Sequence, residues 1–298
     1  MESSLNKRKE IKMKLLVFDI GGTFVKYSRW NNSLAGETNK FKTPQTYDEL
    51  KEKMQNILDT FEEKFDGIAI SAPGVYNPKT REIGGISAVP YIHDFPIVDD
   101  LEKTFNLPVS IENDANCAGL CEKNIGVAQN YDNVACLVLG TGVGGSLFLN
   151  GSLYRGSANR GGEFGLTKNK TSNILSQSGT VVKVTDKYKV ITDVTLSGEE
   201  IYKLYNEGDQ LATELINNMY DDLALFIYNL QVTLDLELVV IGGGVSAQEG
   251  FADALKTRVQ DLLEKEGVAD FMVEIKSSQY KNDANLIGAA TAFELEHQ

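Results

Sequence analysis

Histidine, cysteine and tryptophan are scarce in this sequence of 298 residues, which contains two, three and one of them respectively. Cys117 and Cys121 have the spacing of neighbours on one helix face, but a structural zinc site needs four ligands. His93 lies in a proline-flanked stretch and His297 lies beside the terminus. We therefore expect no structural zinc, and we expect the cysteines to be buried free thiols in a reducing cytoplasm.

Long apolar runs are also missing, since no run approaches the roughly 20 residues that a membrane-spanning helix requires. Only Leu15–Phe18 follow the polar start before Asp19 interrupts them. That run is shorter than the apolar core of a secretory signal. We expect a cytoplasmic protein without a membrane partner, in which residues 1–12 form a disordered extension and Met13 is an alternative start.

Basic residues are outnumbered, with 29 lysines and arginines against 42 acidic residues and a net charge of −13. A nucleic-acid partner demands a basic footprint for its phosphate backbone. We therefore exclude nucleic acid as a partner. A single nucleotide remains compatible with this charge, because backbone N–H groups at one local site can hold a phosphate.

Two stretches of the sequence share one pattern, an apolar strand followed by a glycine turn and a second strand. The first covers residues 14–30, and the second runs from residue 133 through Gly140-Thr-Gly-Val-Gly-Gly145 into a strand at residues 146–149. Asn-Asp-Ala-Asn precedes a predicted helix at 113–116 and again at 282–285. We therefore predict a duplicated α/β unit, with two related domains that flank a central cleft.

Apolar spacing and turn residues predict the remaining elements. Helices are predicted at 47–64, 98–105, 114–123, 197–208, 211–230, 251–267 and 286–296, and further strands at 41–43, 66–71, 108–112, 237–241 and 271–276. Asn150-Gly151 predicts a tight hairpin after the strand at 146–149.

The glycine turns allow several interpretations. Gly140, Gly142 and Gly145 match the dinucleotide-binding pattern, but a strand follows them where that pattern requires a helix. The chain also lacks the G-x-x-x-x-G-K-[ST] pattern of a P-loop. Two alternatives remain: ordinary hairpin turns, or a pair of turns whose N–H groups hold phosphates. In the second case, Asp19 is placed to hold hydrated Mg²⁺ beside a triphosphate.

Four motifs in order resemble those of the ROK family of sugar kinases and sugar-responsive repressors, which belongs to the actin-like ATPase superfamily. They are Asp19-Ile-Gly-Gly-Thr-x-x-Lys26, Glu112-Asn-Asp114, Leu139-Gly-Thr-Gly-Val-Gly-Gly145 and Ile241-Gly-Gly-Gly244. The resemblance spans nearly the whole chain. It implies two ribonuclease H-like domains, at 13–115 plus 284–298 and at 116–283, and ATP with Mg²⁺ as cofactors.

The resemblance also implies roles for individual residues. Asp114 would be the catalytic base that accepts a sugar hydroxyl proton, and the alternative is that it caps the following helix. Lys26 either contacts phosphate or is a solvated strand residue, and Asp283 in the second Asn-Asp-Ala-Asn is expected to be a cap. The sugar ligands would be Gly74, Asn113, Asp114 and Glu163; the nucleotide ligands would be Asp19, Gly21, Gly22, Thr23, Lys26, Gly140, Thr141, Gly142, Gly243 and Gly244.

Two departures from the family pattern bear on the acceptor sugar. The histidine of the family's E-x-G-H motif is Leu166 here, and Ser176-Gln-Ser-Gly-Thr180 stands where a cysteine-rich zinc motif is common. An apolar residue there would tolerate a substituted anomeric position, and the pattern resembles that of bacterial β-glucoside kinases. We therefore predict phosphorylation of the 6-hydroxyl of a β-glucoside such as cellobiose.

Several alternatives stay open. N-acetylmannosamine and glucose are the alternative acceptors, and a catalytically inactive sugar sensor is the alternative outside the enzymes. The family's repressors carry a DNA-binding domain before the first motif, where this sequence has about a dozen residues. A homodimer is compatible with the resemblance, and Tyr91 and His93 are expected on a surface loop.

Overall fold

The computed structural model describes residues 13–170 and 173–297, so the expected disordered extension at 1–12 lies outside the described residues. These residues form two compact units. The first unit runs to Cys117 and resumes at Asn285, and the second is Ala118–Ala284. Within the described part of the chain, no helix has the length and apolar character needed to cross a membrane.

The first unit contains a five-stranded sheet in the order β3-β2-β1-β4-β7. Its first three strands are antiparallel neighbours, and β1, β4 and β7 are parallel. Two short strands, β5 and β6, form a separate antiparallel pair. The bounds are β1 Lys14–Ile20, β2 Phe24–Asn31, β3 Leu34–Lys42, α1 Tyr47–Asp59, β4 Gly67–Ala72, β5 Val75–Asn77, β6 Glu82–Gly84, α2 Ile97–Phe105, β7 Val109–Asn113 and α3 Asp114–Ile125.

The second unit contains a sheet in the order β10-β9-β8-β11-β12, again with antiparallel strands on one side and three parallel strands on the other. Three helices, α4 to α6, lie between β10 and β11 along the chain. The bounds are β8 Val134–Leu139, β9 Val143–Leu149, β10 Ser152–Leu153, α4 Val181–Thr192, α5 Gly198–Glu207, α6 Gln210–Leu234, β11 Leu238–Gly242, α7 Phe251–Lys265, β12 Glu274–Ser277 and α8 Ala284–Glu296.

The two sheets have the same strand order and the same mixture of parallel and antiparallel pairs, which confirms the predicted duplication. Each unit has its own apolar core. Leu16, Phe18 and Ile70 lie in the first core, and Leu137 and Ile241 lie in the second. Strands β1, β4, β8 and β11 are buried at nearly every position, as expected for parallel strands that are covered on both faces.

The structure divides near the predicted domain boundaries, at Cys117/Ala118 and Ala284/Asn285. These junctions fall inside α3 and α8, the two helices that begin at the Asn-Asp-Ala-Asn repeats. The predicted boundaries, at 115/116 and 283/284, stay a proposal for the functional domains.

Several local predictions were wrong, and one helix was missed. Strand β3 was predicted at 41–43 but runs over Leu34–Lys42, and helix α6 ends at Leu234, four residues after the predicted end. Helix α4 was not predicted, because its β-branched sequence favours a strand. Thr180 caps α4 by accepting a hydrogen bond from the Lys183 amide, and Val184 and Tyr188 bury one helix face. Strand β9 begins at Val143 and therefore includes two glycines that were assigned to the turn. Helix α1 ends at Asp59, five residues before the predicted end.

Candidate functional site

Polar side chains gather at the carboxyl ends of the parallel strands in the first unit. Asp19 of β1 is paired in register with Ser71 of β4, and Ser71 is paired with Glu112 of β7. Asn113 and Asp114 follow directly, at the end of β7 and the start of α3. Ligands of open α/β sheets bind outside the carboxyl ends of their strands. The first unit therefore brings the predicted Asp19, Asn113 and Asp114 to one edge of its sheet.

Asp19 is held by three neighbours. Its Oδ1 accepts hydrogen bonds from Ser71 Oγ (2.9 Å) and Asn285 Nδ2 (3.0 Å), and its Oδ2 lies 3.9 Å from Lys26 Nζ. The residue is only 9% exposed. Sequence reasoning did not identify Asn285 or Ser71 as partners of this carboxylate. The only signal for Asn285 was the repeated Asn-Asp-Ala-Asn, in which it is the last residue.

A magnesium ion fits the chemistry of this edge. Mg²⁺ keeps most of its waters and is usually bound through one or two carboxylates plus substrate phosphates. Oδ1 of Asp19 accepts from two protein donors, Ser71 and Asn285. Oδ2 lies near the Lys26 ammonium, at the longer distance of 3.9 Å. One oxygen is therefore suited to a hydrated metal. Lys26 is the cross-strand partner of Asp19 in β2, and it makes an ion pair rather than standing only in solvent.

Asn113, not Asp114, caps helix α3. Asn113 Oδ1 accepts a hydrogen bond from the Asn116 amide (3.1 Å), and its Nδ2 donates to the Gly74 carbonyl (2.9 Å). Asp114 is the first helical residue, and its Oδ1 accepts from the Ala115 amide (2.8 Å). Glu112 is buried and accepts from Asn113 N (2.8 Å) and Asn116 Nδ2 (2.9 Å). The cap of α3 is therefore Asn113, and the alternative role of Asp114 as the helix cap is wrong.

Gly74 follows β4 and needs the absence of a side chain. Its φ is +110°, and an added Cβ would lie 2.6 Å from Ile83 Cγ2 and 2.9 Å from the Gly84 carbonyl oxygen. In the same loop region, His93 contacts Ser87 Oγ (2.8 Å), and the Tyr91 hydroxyl donates to the Pro44 carbonyl (2.8 Å). These contacts tie down the loop that follows Gly74, and both rings are half-buried.

The first glycine turn connects β1 to β2. Gly22 and Thr23 are exposed at its tip, and the Gly21 amide donates to the Phe24 carbonyl (3.1 Å). Thr43 braces the turn from β3 side, since its Oγ1 donates to the Gly21 carbonyl (2.6 Å) and its amide to the Thr23 carbonyl (3.1 Å). The predicted Gly21, Gly22 and Thr23 therefore form an exposed, braced turn next to Asp19.

A cavity of about 630 Å³ lies in the second unit, at the matching edge of its sheet. Two of the predicted nucleotide ligands, Gly140 and Gly244, are brought together in its wall. Its volume is within the usual range for small-molecule sites. The lining residues are Leu139, Gly140, Val181, Val182, Thr185, Ser197, Gly198, Glu199, Tyr202, Gly244, Val245, Ala247 and Gln248. Sequence reasoning missed the lining residues from α4, which was not predicted, and did not assign the predicted helix α5 to a site.

Gly243 does not line this cavity but sets the backbone conformation of the loop just before Gly244, which does. Its φ is +89°, and an added Cβ would lie 2.2 Å from the Leu139 carbonyl oxygen. Ser246 holds the loop by donating both its amide (3.1 Å) and its Oγ (2.8 Å) to the Gly243 carbonyl. Thr141 is exposed at the tip of the second glycine turn, and the Gly140 amide donates to the Gly142 carbonyl (2.9 Å).

Glu163 lies in the second unit, in the loop after β10. It is exposed, and the buried Phe164 anchors the loop immediately after it. Leu166, three residues later, is 63% exposed. Ser176 Oγ accepts a hydrogen bond from the Val143 amide (3.0 Å), which links the segment at 176–180 to the start of β9.

The three cysteines are free and buried. Burial raises the pKa of Cys117 and Cys121 well above that of an ordinary thiol and raises the pKa of Cys136 to about 12. Within residues 13–170 and 173–297, no group of three or more histidine, cysteine and acidic side chains is arranged to hold a metal ion. The Cys117 thiol donates to the Glu112 carbonyl, with Sγ 3.8 Å from the oxygen.

Comparison with known proteins identifies relatives over the whole fold. The model of the ROK family matches residues 16–295. A β-glucoside kinase of Listeria innocua is 35% identical over 297 residues, covering 94% of this chain and 97% of the relative. The crystal structure of a Streptococcus pneumoniae ROK family protein in complex with sucrose is 33% identical, with a TM-score of 0.88 and coverage of 96% and 99%. An N-acetylmannosamine kinase of Haemophilus influenzae is 26% identical over 294 residues, covering 93% and 94%.

Proposed function

On the premise that this chain belongs to the ROK family and is a carbohydrate kinase, we propose that it transfers the γ-phosphoryl group of ATP to the 6-hydroxyl of a β-glucoside such as cellobiose. The products are ADP and a 6-phospho-β-glucoside. The observation that carries the choice of acceptor is the exposed leucine, Leu166, three residues after Glu163. The Listeria relative with 35% identity is itself a β-glucoside kinase.

Leu166 is proposed to affect acceptor specificity because its side chain cannot hydrogen-bond an anomeric hydroxyl. A site that hydrogen-bonds a substrate hydroxyl rejects analogues without that hydroxyl, because its own polar groups are left unpaired. An exposed leucine makes no such demand and gives an apolar surface to a substituent on the anomeric oxygen. The Streptococcus relative was crystallised with sucrose, a sugar without a free anomeric hydroxyl.

Asp114 is the proposed general base. As the sugar O6 attacks the γ-phosphorus, the O6–P bond forms, the bond from phosphorus to the bridging oxygen of ADP breaks, and Asp114 takes the O6 proton. The Asp114 carboxylate lies at the start of α3. Asn113 caps this helix, so the Asp114 side chain is not needed as the cap. Gly74, Asn113 and Glu163 are the proposed ligands of the other sugar hydroxyls.

The nucleotide is proposed to use both glycine turns. The cavity of about 630 Å³ beside Gly140 and Gly244 suits adenosine, with Gly243 shaping the loop. Gly22, Thr23, Thr141 and Gly142 are proposed to bind phosphates through backbone N–H and hydroxyl groups. Gly21 belongs to the same proposed site, but its amide donates to the Phe24 carbonyl within the turn. Asp19 would hold hydrated Mg²⁺, which supplies charge neutralisation on the phosphates when bound. Lys26 is proposed to share its ammonium between Asp19 and phosphate.

N-acetylmannosamine and glucose are the alternative acceptors, and the Haemophilus relative supports the first of them. An inactive sugar sensor is the alternative outside the enzymes, but the chain retains the acidic groups at the carboxyl edge, Asp19 and Asp114. A cytoplasmic location and a homodimer belong to the same proposal.

The experiment is a comparison of ADP release with Mg·ATP across cellobiose, an aryl β-glucoside, glucose and N-acetylmannosamine. We expect kcat/KM to be highest for the two β-glucosides. A preference for a free monosaccharide would keep the kinase and overturn the role of Leu166. Absence of turnover with all four, together with measurable sugar binding, would favour the sensor.

A further inference from the structure

Each of the two Asn-Asp-Ala-Asn segments ends in an asparagine whose side-chain amide donates a hydrogen bond to a buried carboxylate. Asn116 Nδ2 donates to the buried carboxylate of Glu112 (2.9 Å), four residues earlier. Asn285 Nδ2 donates to the buried carboxylate of Asp19 (3.0 Å), at the opposite end of the chain. The first contact is local and links the first turn of α3 to the end of β7. The second joins the start of α8 to the end of β1, where the proposed metal ligand lies.

We infer that Asn285 is a positioning residue for the metal and nucleotide site, acting through Asp19. The inference rests on the proposed function only in taking Asp19 as the residue that holds hydrated Mg²⁺. Asn285 does not touch the metal in this role. It fixes the orientation of the carboxylate that does.

The geometry gives this role a physical basis. Asn285 and Ser71 both donate to Oδ1 of Asp19, at 3.0 and 2.9 Å, so this oxygen is turned toward the protein. The rotation of the carboxylate is thereby fixed, and Oδ2 is the oxygen that remains for other cations. Lys26 Nζ already lies 3.9 Å from Oδ2. A cation therefore approaches the oxygen that the two donors leave available.

Losing one of the two donors should weaken metal binding without removing a metal ligand. A carboxylate with a single donor can rotate, and ordering it again costs binding free energy. Outer-sphere partners of metal ligands typically contribute about 10–100-fold in metal affinity. We expect Asn285→Ala to fall in that range. Ser71→Ala should behave in the same way, because it removes the other donor to the same oxygen.

A purely structural role for Asn285 predicts a different result. If the contact only fastened α8 to β1, its loss would lower thermal stability and would weaken nucleotide binding equally with and without metal. The positioning role predicts that only the metal-dependent part of the binding is lost. The matched control is Asn282→Ala, which changes the same Asn-Asp-Ala-Asn segment and leaves both donors to Asp19 in place.

The test is calorimetric titration of the full chain with a non-hydrolysable ATP analogue, first with EDTA and then at a series of Mg²⁺ concentrations. For Asn285→Ala we expect metal-free affinity within about twofold of the parent and a 10–100-fold higher Mg²⁺ concentration for half-saturation. Equal losses with EDTA and with Mg²⁺, or an unchanged Mg²⁺ requirement, would overturn the inference. Should Asn285→Ala not fold, Ser71→Ala decides the question by the same criteria. Because no sugar is present, a wrong acceptor assignment leaves this result unaffected.

Discussion

Replacing Asp114 by asparagine is expected to separate the proposed catalytic role of this residue from its role in folding. The substitution keeps the size of the side chain and an oxygen able to accept from the Ala115 amide, a bond of 2.8 Å. It removes one negative charge from the first turn of α3, worth about 0.3–1 kcal/mol of stability. The cap itself is untouched, because Asn113 provides it. The structure therefore predicts a small loss of stability.

The expected loss of activity is much larger. A general base contributes about 10²–10⁴ in rate, and at 1.36 kcal/mol per tenfold the lower figure already equals about 2.7 kcal/mol in the barrier. We expect kcat to fall by at least about 10²-fold while the affinity for the sugar persists. The assay combines ADP release at saturating Mg·ATP with calorimetric titration of the sugar and a thermal melt.

The matched control is Asp283→Asn, at the same place in the second Asn-Asp-Ala-Asn. It should leave kcat nearly unchanged, because we assign that carboxylate to the start of a helix and not to chemistry. Comparable kinetic losses in the two variants would refute the division of roles. So would a loss of sugar binding in Asp114→Asn that matches its loss of turnover.

Three further predictions follow from the site. Leu166→His should raise the ratio of kcat/KM for glucose over that for cellobiose by roughly tenfold, the worth of one hydrogen bond; an unchanged ratio would remove Leu166 from specificity. Gly243→Ala should lower Tm by roughly 4 °C or more and weaken nucleotide binding, because φ is +89° and the new Cβ would lie 2.2 Å from a carbonyl oxygen; wild-type Tm and affinity would contradict this. The buried cysteines should react with a thiol reagent at pH 8 only as fast as the protein unfolds, since burial raises the pKa of Cys136 to about 12; rapid labelling of native protein would contradict it.

The strands were the most predictable part of this fold. Apolar runs that end in glycine or in Asn-Asp identified β1, β4, β7, β8 and β11 to within a residue or two, because parallel strands covered on both faces leave few polar positions. Helix α4 could not be found in this way. Its valines and threonines favour a strand locally, and the helix depends on the cap at Thr180 and on burial of Val184 and Tyr188 in the second unit.

The site was predictable where it is encoded by neighbouring residues. The Glu-Asn-Asp motif placed Asp114 correctly at a strand-to-helix junction, but not which residue caps the helix, since both asparagine and aspartate are good caps. The partner of Asp19 was not predictable from local sequence. Asn285 reaches it across a separation of 266 residues, and only the folded sheet edge brings them together.

The two duplicated sheets differ at the strand position that Asp19 occupies in the first unit. In the first unit, Asp19 pairs with Lys26 across the glycine turn and with Ser71 on the parallel side. Ile20 pairs with Val25 as Leu139 pairs with Val143, so the position of Asp19 corresponds to Val138 in the second unit. Val138 pairs with Gly144 and Gly242.

A carboxylate, an ammonium and a hydroxyl in one copy thus correspond to a valine and two glycines in the other. A hydrated divalent cation requires an oxygen ligand with negative charge, which the first arrangement supplies and the second does not. The cavity of the second unit lies just beyond this position, and its lining is mostly apolar and small residues with Glu199 among them. The two units therefore share one strand order but differ in chemistry at this position, with a charged, hydrogen-bonded cluster in the first and a valine between glycines in the second.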